Sequence, residues 1–102
     1  MTFGQILSEA RKRLDISQKD LAAKVQKEDG EAISPQYLND IERDRRNPPS
    51  DHLIEQFARI LDIDVDILYF RAGRLPADIR AMNVEEDKIR AAYIVFRQKI
   101  KG

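Results

Sequence analysis

The chain has 102 residues, with 18 Lys+Arg balanced by 18 Asp+Glu, so its formal net charge at pH 7 is zero. At 42% hydrophobic and 35% charged it has the make-up of one small globular domain with a short accessory segment, which argues against disorder. The absence of cysteine excludes disulfides and thiolate metal centres, and the single histidine, His52, leaves no histidine cluster for a metal. No apolar run approaches the roughly 18 residues of a membrane span and no signal-peptide pattern opens the chain, so a cytoplasmic protein without a membrane partner is expected.

The charges are unevenly spread. Basic residues gather at Arg11, Lys12 and Arg13 and again at Arg43, Arg45 and Arg46, while acids gather at Glu28, Asp29, Glu31 and at Asp62, Asp64, Asp66. Neutrality argues mildly against a polyanionic partner, but this distribution allows one basic face.

In chain order, Thr2 and Gln5 form a capping box that opens a first helix, with Phe3, Ile6, Leu7, Ala10 and Leu14 at inward spacing. Asp15 ends it, and Ile16 packs ahead of the next cap. Ser17 starts a second helix with Gln18 first, Asp20 third, and Leu21, Ala22 and Val25 inward. The acidic stretch QKEDGEAI reads as a polar loop, with room for one more turn of helix at its start and with Ile33 as an anchor at its end. Ser34 and Pro35 suit the N-cap and first position of a third helix closing near Arg43, with Leu38 and Ile41 inward. Asn47, Pro48 and Pro49 stop helix formation. Ser50 caps a fourth helix with Leu53, Ile54, Phe57, Ala58 and Leu61 inward. Asp64 caps a fifth, residues 65–71, that buries Leu68 and Phe70 before Gly73 ends it. Residues 75–80 form a connector with one possible turn of helix. Asn83 and Glu86 make a second capping pattern for a final helix running to about Ile100. Nothing alternates strongly enough for a strand, so the fold is all-α, divided into residues 1–73 and a connector with a C-terminal amphipathic helix, 74–102.

Two short helices joined by a turn, the second exposing polar residues, form a helix-turn-helix. Gln36, Tyr37, Asn39 and Asp40 on the third helix carry the hydrogen-bonding groups that read base edges, and Arg43, Arg45 and Arg46 follow as phosphate-seeking groups. An ordinary solvated helix face is the competing reading of the same residues. The segments ISQKDLA, ISPQYLNDIERDRRNPPS and LIEQFARILDID resemble the helix-turn-helix family of the phage lambda Cro and 434 repressors (the XRE family), from Phe3 to about Leu68. The resemblance implies a five-helix lambda-repressor-like domain, here with an added C-terminal helix. It further implies that Gln18 touches a phosphate and braces the third helix, that Ser34, Gln36, Tyr37, Asn39 and Asp40 face the groove, and that Arg43, Arg45 and Arg46 lie along the backbone. Arg11 and Glu42 match the family's internal ion pair. The sequence departs from the family pattern in the long loop QKEDGEAI and in Asp44, which stands where the family commonly has glycine.

Ile89, Ala92, Tyr93, Phe96 and Ile100 make an apolar stripe on the last helix, which either packs back on its own domain or, as favoured here, pairs in a homodimer. No glycine-rich phosphate loop, paired nucleophile and base, or cofactor motif is present, so neither an enzyme, a cofactor, a metal nor a small-molecule ligand is expected. The expected function is a sequence-specific, homodimeric transcriptional repressor acting on double-stranded DNA at an inverted-repeat operator, and hence nucleoid-associated. The alternatives are an autoregulating antitoxin, or an adaptor that has lost DNA binding. A toxin or antirepressor is a possible protein partner.

Overall fold

The computed structural model describes residues 1–102, which form seven helices and no sheet. These are α1 (Phe3–Arg13), α2 (Gln18–Lys24), α3 (Pro35–Glu42), α4 (Asp51–Leu61), α5 (Val65–Arg71), α6 (Ala77–Arg80) and α7 (Glu86–Lys101). Five of them open on a side-chain cap, each worth about 1 kcal/mol. Thr2 Oγ1 accepts from Gln5 N–H at 3.1 Å while Gln5 Oε1 accepts from Thr2 N–H at 2.9 Å. Ser17, Ser34, Ser50 and Asp64 accept from the amides of Asp20, Tyr37, Leu53 and Asp66.

One core of 16 buried apolar residues, from Phe3 to Tyr69, lies among α1–α5. α1 packs on α3 and α4, α2 on α3, and α4 on α5. α1 comes close to α3 at Gly4, where a Cβ would come within 2.5 Å of the Glu42 carbonyl oxygen and closer still to that of Ile41. A side chain there would push two helices apart.

The structure corrects four local expectations. Leu14 is exposed rather than inward: α1 ends at Arg13, Asp15 turns the chain with φ +56°, and Ile16 returns to the core edge in its place. On α5 the buried aromatic is Tyr69, and Phe70 is 54% exposed. Val65, Leu68, Tyr69 and Ala72 keep i, i+3, i+4, i+7 spacing and define the inward stripe. Phe70 falls off it. Asn83 caps nothing; Glu85, with extended backbone, holds the N-cap position, and α7 begins without a side-chain cap. Glu86 and Asp87 in its first turn compensate by facing the positive end of the helix dipole.

Finally, the stretch after Val25 is no extra turn of α2. It folds into a tight hairpin, with Gln26 bridged antiparallel to Ala32, Ile33 N–H donating to Val25 O at 2.9 Å and Lys27 N–H to Glu31 O at 2.8 Å. Gly30 takes φ +88°, the left-handed region in which glycine alone is unstrained. Gln56, buried on α4, pairs with the hairpin as a neighbouring strand would. Its Oε1 accepts from Gln26 N–H at 2.9 Å, and its Nε2 donates to Gln26 O. His52 Nε2 approaches the same carbonyl at 2.9 Å, and Ser50 Oγ donates to Glu28 Oε1 at 2.9 Å. The insertion is thereby pinned to the start of α4.

A candidate nucleic-acid interface on α3

Leu38, Ile41 and Glu42 turn α3 toward the domain and are buried. Glu42 is the only carboxylate in the interior, and it is fully answered there. Arg11 Nε donates to its Oε2 at 2.8 Å and Arg11 Nη2 to its Oε1 at 3.0 Å, a two-pronged ion pair. The same Oε1 accepts from Gln18 Nε2 at 3.0 Å. Arg11 Nη1 is spent on the carbonyl of Ile16 at 2.9 Å, and the bond to Glu42 holds the guanidinium pKa above its ordinary value. Three elements, α1, α2 and the α1–α2 turn, are thus joined to the end of α3.

The outward residues divide into two sets. Ser34, Gln36, Arg43, Arg45 and Arg46 are exposed, while Tyr37, Asn39 and Asp40 are half-buried. Gln18 Nε2 also donates to Asn39 Oδ1 at 3.1 Å, and Arg43 Nε reaches that oxygen at 3.3 Å. Asn39 therefore keeps its amide N–H groups free while its oxygen braces α2. Gln36 Nε2 donates to Asp40 Oδ1 at 3.0 Å, and Asp40 Oδ2 lies 3.7 Å from Arg46 Nε. The Arg46 guanidinium stands 5.0 Å from the Tyr37 ring centre, a cation–π distance. Gln36, Asp40, Arg46 and Tyr37 are in this way pre-ordered on one exposed face.

Asp44, which the family pattern makes a glycine, takes φ +56° and turns that conformation to use. Its carboxylate accepts from Gly4 N–H at 3.0 Å and from the Thr2 hydroxyl, so it caps α1 from across the domain. Beyond it, the Arg43–Arg46 segment leads into the Pro48–Pro49 turn, which a second arginine holds. Arg74 donates to the carbonyls of Pro48 and Pro49 and to Asp51 Oδ1 at 2.8 Å, while Arg80 donates to Asp51 Oδ2 at 2.7 Å. Arg80, then Arg74, hold the Asp51 carboxyl below its usual pKa. Sequence reasoning missed this clasp, because nothing in local spacing ties residues 74 and 80 to residue 51. It also missed Gln56 and Gly4. The glycine was the more legible of the two, since a glycine inside the inward stripe of a helix marks a close approach.

The five caps, the short α2–α3 pair and the polar, arginine-fringed face of α3 define a helix-turn-helix DNA-binding domain. A helix-turn-helix family model matches residues 7–68, and the chain belongs to that family, the Cro/C1-type or XRE group of DNA-binding domains, which are not enzymes. No curated protein and no solved structure matches the chain. No helix is long and apolar enough to cross a membrane.

Proposed function

We propose that the protein is a sequence-specific transcriptional repressor that binds an inverted-repeat operator as a homodimer, placing α3 of each protomer in a major groove. The observation that carries this reading is the division of α3 into a side locked to the domain through Glu42, Arg11 and Gln18 and a side that displays pre-ordered polar groups. Gln36 has the amide that pairs bidentately with adenine, Asn39 offers its free N–H groups to acceptors on a base edge, and Asp40 accepts from a cytosine amine. Ser34 and Gln18, at or next to the N-cap positions of α3 and α2, stand where helix N-termini meet phosphates. Arg43, Arg45 and Arg46 set affinity and register. The dimer forms through Ile89, Ala92, Tyr93, Phe96 and Ile100 of α7. Repression follows from occupying DNA that polymerase needs.

Selection of bound duplexes from a random pool tests this reading. It is expected to return two half-sites related by two-fold symmetry and about one helical turn apart. Gln36→Ala is expected to relax the preference at one position of each half-site. Arg45→Ala with Arg46→Ala is expected to weaken binding to every sequence and to reduce the salt slope by about one for each phosphate no longer neutralised. A protein that shows no salt-dependent binding to any duplex is an adaptor instead, a reading to which the zero net charge is congenial.

A further inference from the structure

Gln36 and Asn39 lie three residues apart on α3 and end in the same amide group, yet their neighbours hold the two amides in opposite senses. An amide is ambiguous by itself, since its oxygen only accepts and its nitrogen donates two hydrogens. Which end stays free is decided by the neighbour that takes the other end. A charged neighbour leaves no choice.

At Gln36 the neighbour is a carboxylate. Asp40 has no hydrogen to give, so only the amide nitrogen can face it, and Nε2 donates to Oδ1 at 3.0 Å. The hydrogen best placed for this bond is the one pointing away from Oε1, because the other would bring two oxygens together. Asp40 is steadied in turn by Arg46, whose Nε lies 3.7 Å from Oδ2. Gln36 is left with an oxygen and an N–H side by side. At Asn39 the neighbours are donors. The Arg43 guanidinium has no acceptor, so the atom that its Nε reaches at 3.3 Å is the amide oxygen. Gln18 Nε2 donates to the same oxygen at 3.1 Å, and that nitrogen is itself fixed by the buried Glu42 carboxylate at 3.0 Å. With its oxygen taken twice, Asn39 is left with two N–H groups.

The major-groove edges of the two purines differ in the same way. Adenine offers an N7 acceptor beside an N6 donor, whereas guanine offers an N7 acceptor beside an O6 acceptor. We propose that the two amides are locked to different bases, Gln36 to adenine by Asp40 and Asn39 to guanine by Gln18 and Arg43. An unrestrained asparagine pairs with adenine, so the guanine preference at Asn39 comes from its neighbours alone. Asp40, Gln18 and Arg43 are here positioning residues, acting on the bases through the amides they hold. The assignment rests on the reading of α3 as a base-reading helix and specifies which bases it reads.

The test compares duplexes that differ at one base pair, so that a uniform change in affinity cancels. Selected half-sites are expected to hold one adenine whose selection Gln36→Ala relaxes and one guanine whose selection Asn39→Ala relaxes. Asp40→Asn keeps the size of the side chain but can donate as well as accept, which frees the Gln36 amide to turn over. The preference for adenine over guanine at that base pair is expected to fall by on the order of tenfold, a factor within the range by which one bidentate pair discriminates. Gln18→Met with Arg43→Met frees the Asn39 oxygen and is expected to move the guanine position toward adenine by a similar factor. Arg43→Met alone, a change at an exposed side chain, is expected to move it part of the way. Adenine selected at the Asn39 position, or ratios that these variants leave unchanged, overturns the proposal while DNA binding stands. A change in Asp40→Asn confined to another base pair overturns it too, and makes Asp40 a reader in its own right. A protein that binds no duplex overturns the reading of α3 and this assignment with it.

Discussion

α3 and α7 are both amphipathic helices, and the shorter one is by far the more constrained. α3 has eight residues, three of them buried, a serine cap, a proline at its start, and an ion pair and two amide bonds at its end. α7 is twice as long, lacks a cap and buries nothing. The difference shows that order in a helix of this size comes from what packs against it, with length and propensity secondary. It also separates two tasks. On the proposed function, the helix that would read bases arrives already positioned, whereas the helix that would join two copies has nothing packed over its apolar stripe within one chain.

The largest expected effect that sharpens this contrast is at Arg11. Arg11→Met leaves Glu42 charged and buried without its partner, and is expected to cost about 3–5 kcal/mol in denaturant unfolding. Arg11→Met with Glu42→Met should recover much of that loss, because no charge is then stranded. An Arg11→Met protein with an unchanged melting curve would remove the clasp from the account of α3. Changes of the same chemical size on α7, such as Arg97→Met, are expected to leave the unfolding of α1–α5 unaltered.

Gly4→Ala comes next, at about 1–3 kcal/mol, because the added methyl meets the carbonyls of Ile41 and Glu42. Thermal unfolding by circular dichroism checks it, and an equal loss for Ala91→Val on the open flank of α7 would erase the contrast. A smaller pair of effects distinguishes two left-handed aspartates. Asp15→Gly is expected to stabilise by up to about 1 kcal/mol, since glycine adopts φ +56° without strain. Asp44→Gly should gain nothing, because it forfeits the carboxylate that caps Gly4.

Two titrations give the smallest effects. The Asp51 pKa is depressed, so its links to Arg80 and Arg74 are fully formed above the ordinary carboxylate pKa and are lost as pH falls through the lower folded value. Chemical-shift titration of residues 74–80 should show the connector loosening in acid while the core amides stay in place. Tyr69 runs the other way. Its ring is buried while its hydroxyl donates to Glu55 Oε1 at 3.0 Å, and desolvation followed by that bond raises its pKa from 10.0 to about 12. The stability it contributes is complete below pH 10 and is lost as pH rises to about 12. Tyr69→Phe should flatten alkaline unfolding in that window.

Much of the fold is legible in the sequence because its signals are local. Thr2, Ser17, Ser34, Ser50 and Asp64 each announce a helix three or fewer residues ahead, and Leu53, Ile54, Phe57, Ala58 and Leu61 carry their own period. The illegible part is decided by partners distant in the chain. Gln56 looks like any polar residue on a helix until Gln26 is seen to need a neighbour. Asn83 has the spacing of a cap, but no packing makes α7 begin there. Hydrophobicity alone places Phe70 in the core, although the spacing of Val65, Leu68, Tyr69 and Ala72 already points elsewhere. At the site, the residue types on α3 are readable, but which of them are free is not. Asn39 and Asp40 are engaged by Gln18, Gln36 and Arg46, and only the folded chain brings those groups together.

The hairpin at residues 26–32 offers a different kind of use. Its legs are stitched to each other and one of them, at Gln26, to Gln56, while Asp29 and Gly30 at its tip are exposed and bond only within the hairpin. Such a tip tolerates added chain. A short peptide or a fluorophore carried there would sit a few residues ahead of Ser34, the cap of α3, as a passenger that touches none of the bonds holding α3. The loss of operator affinity as that passenger is lengthened would then serve as a ruler for the gap between the tip and the duplex.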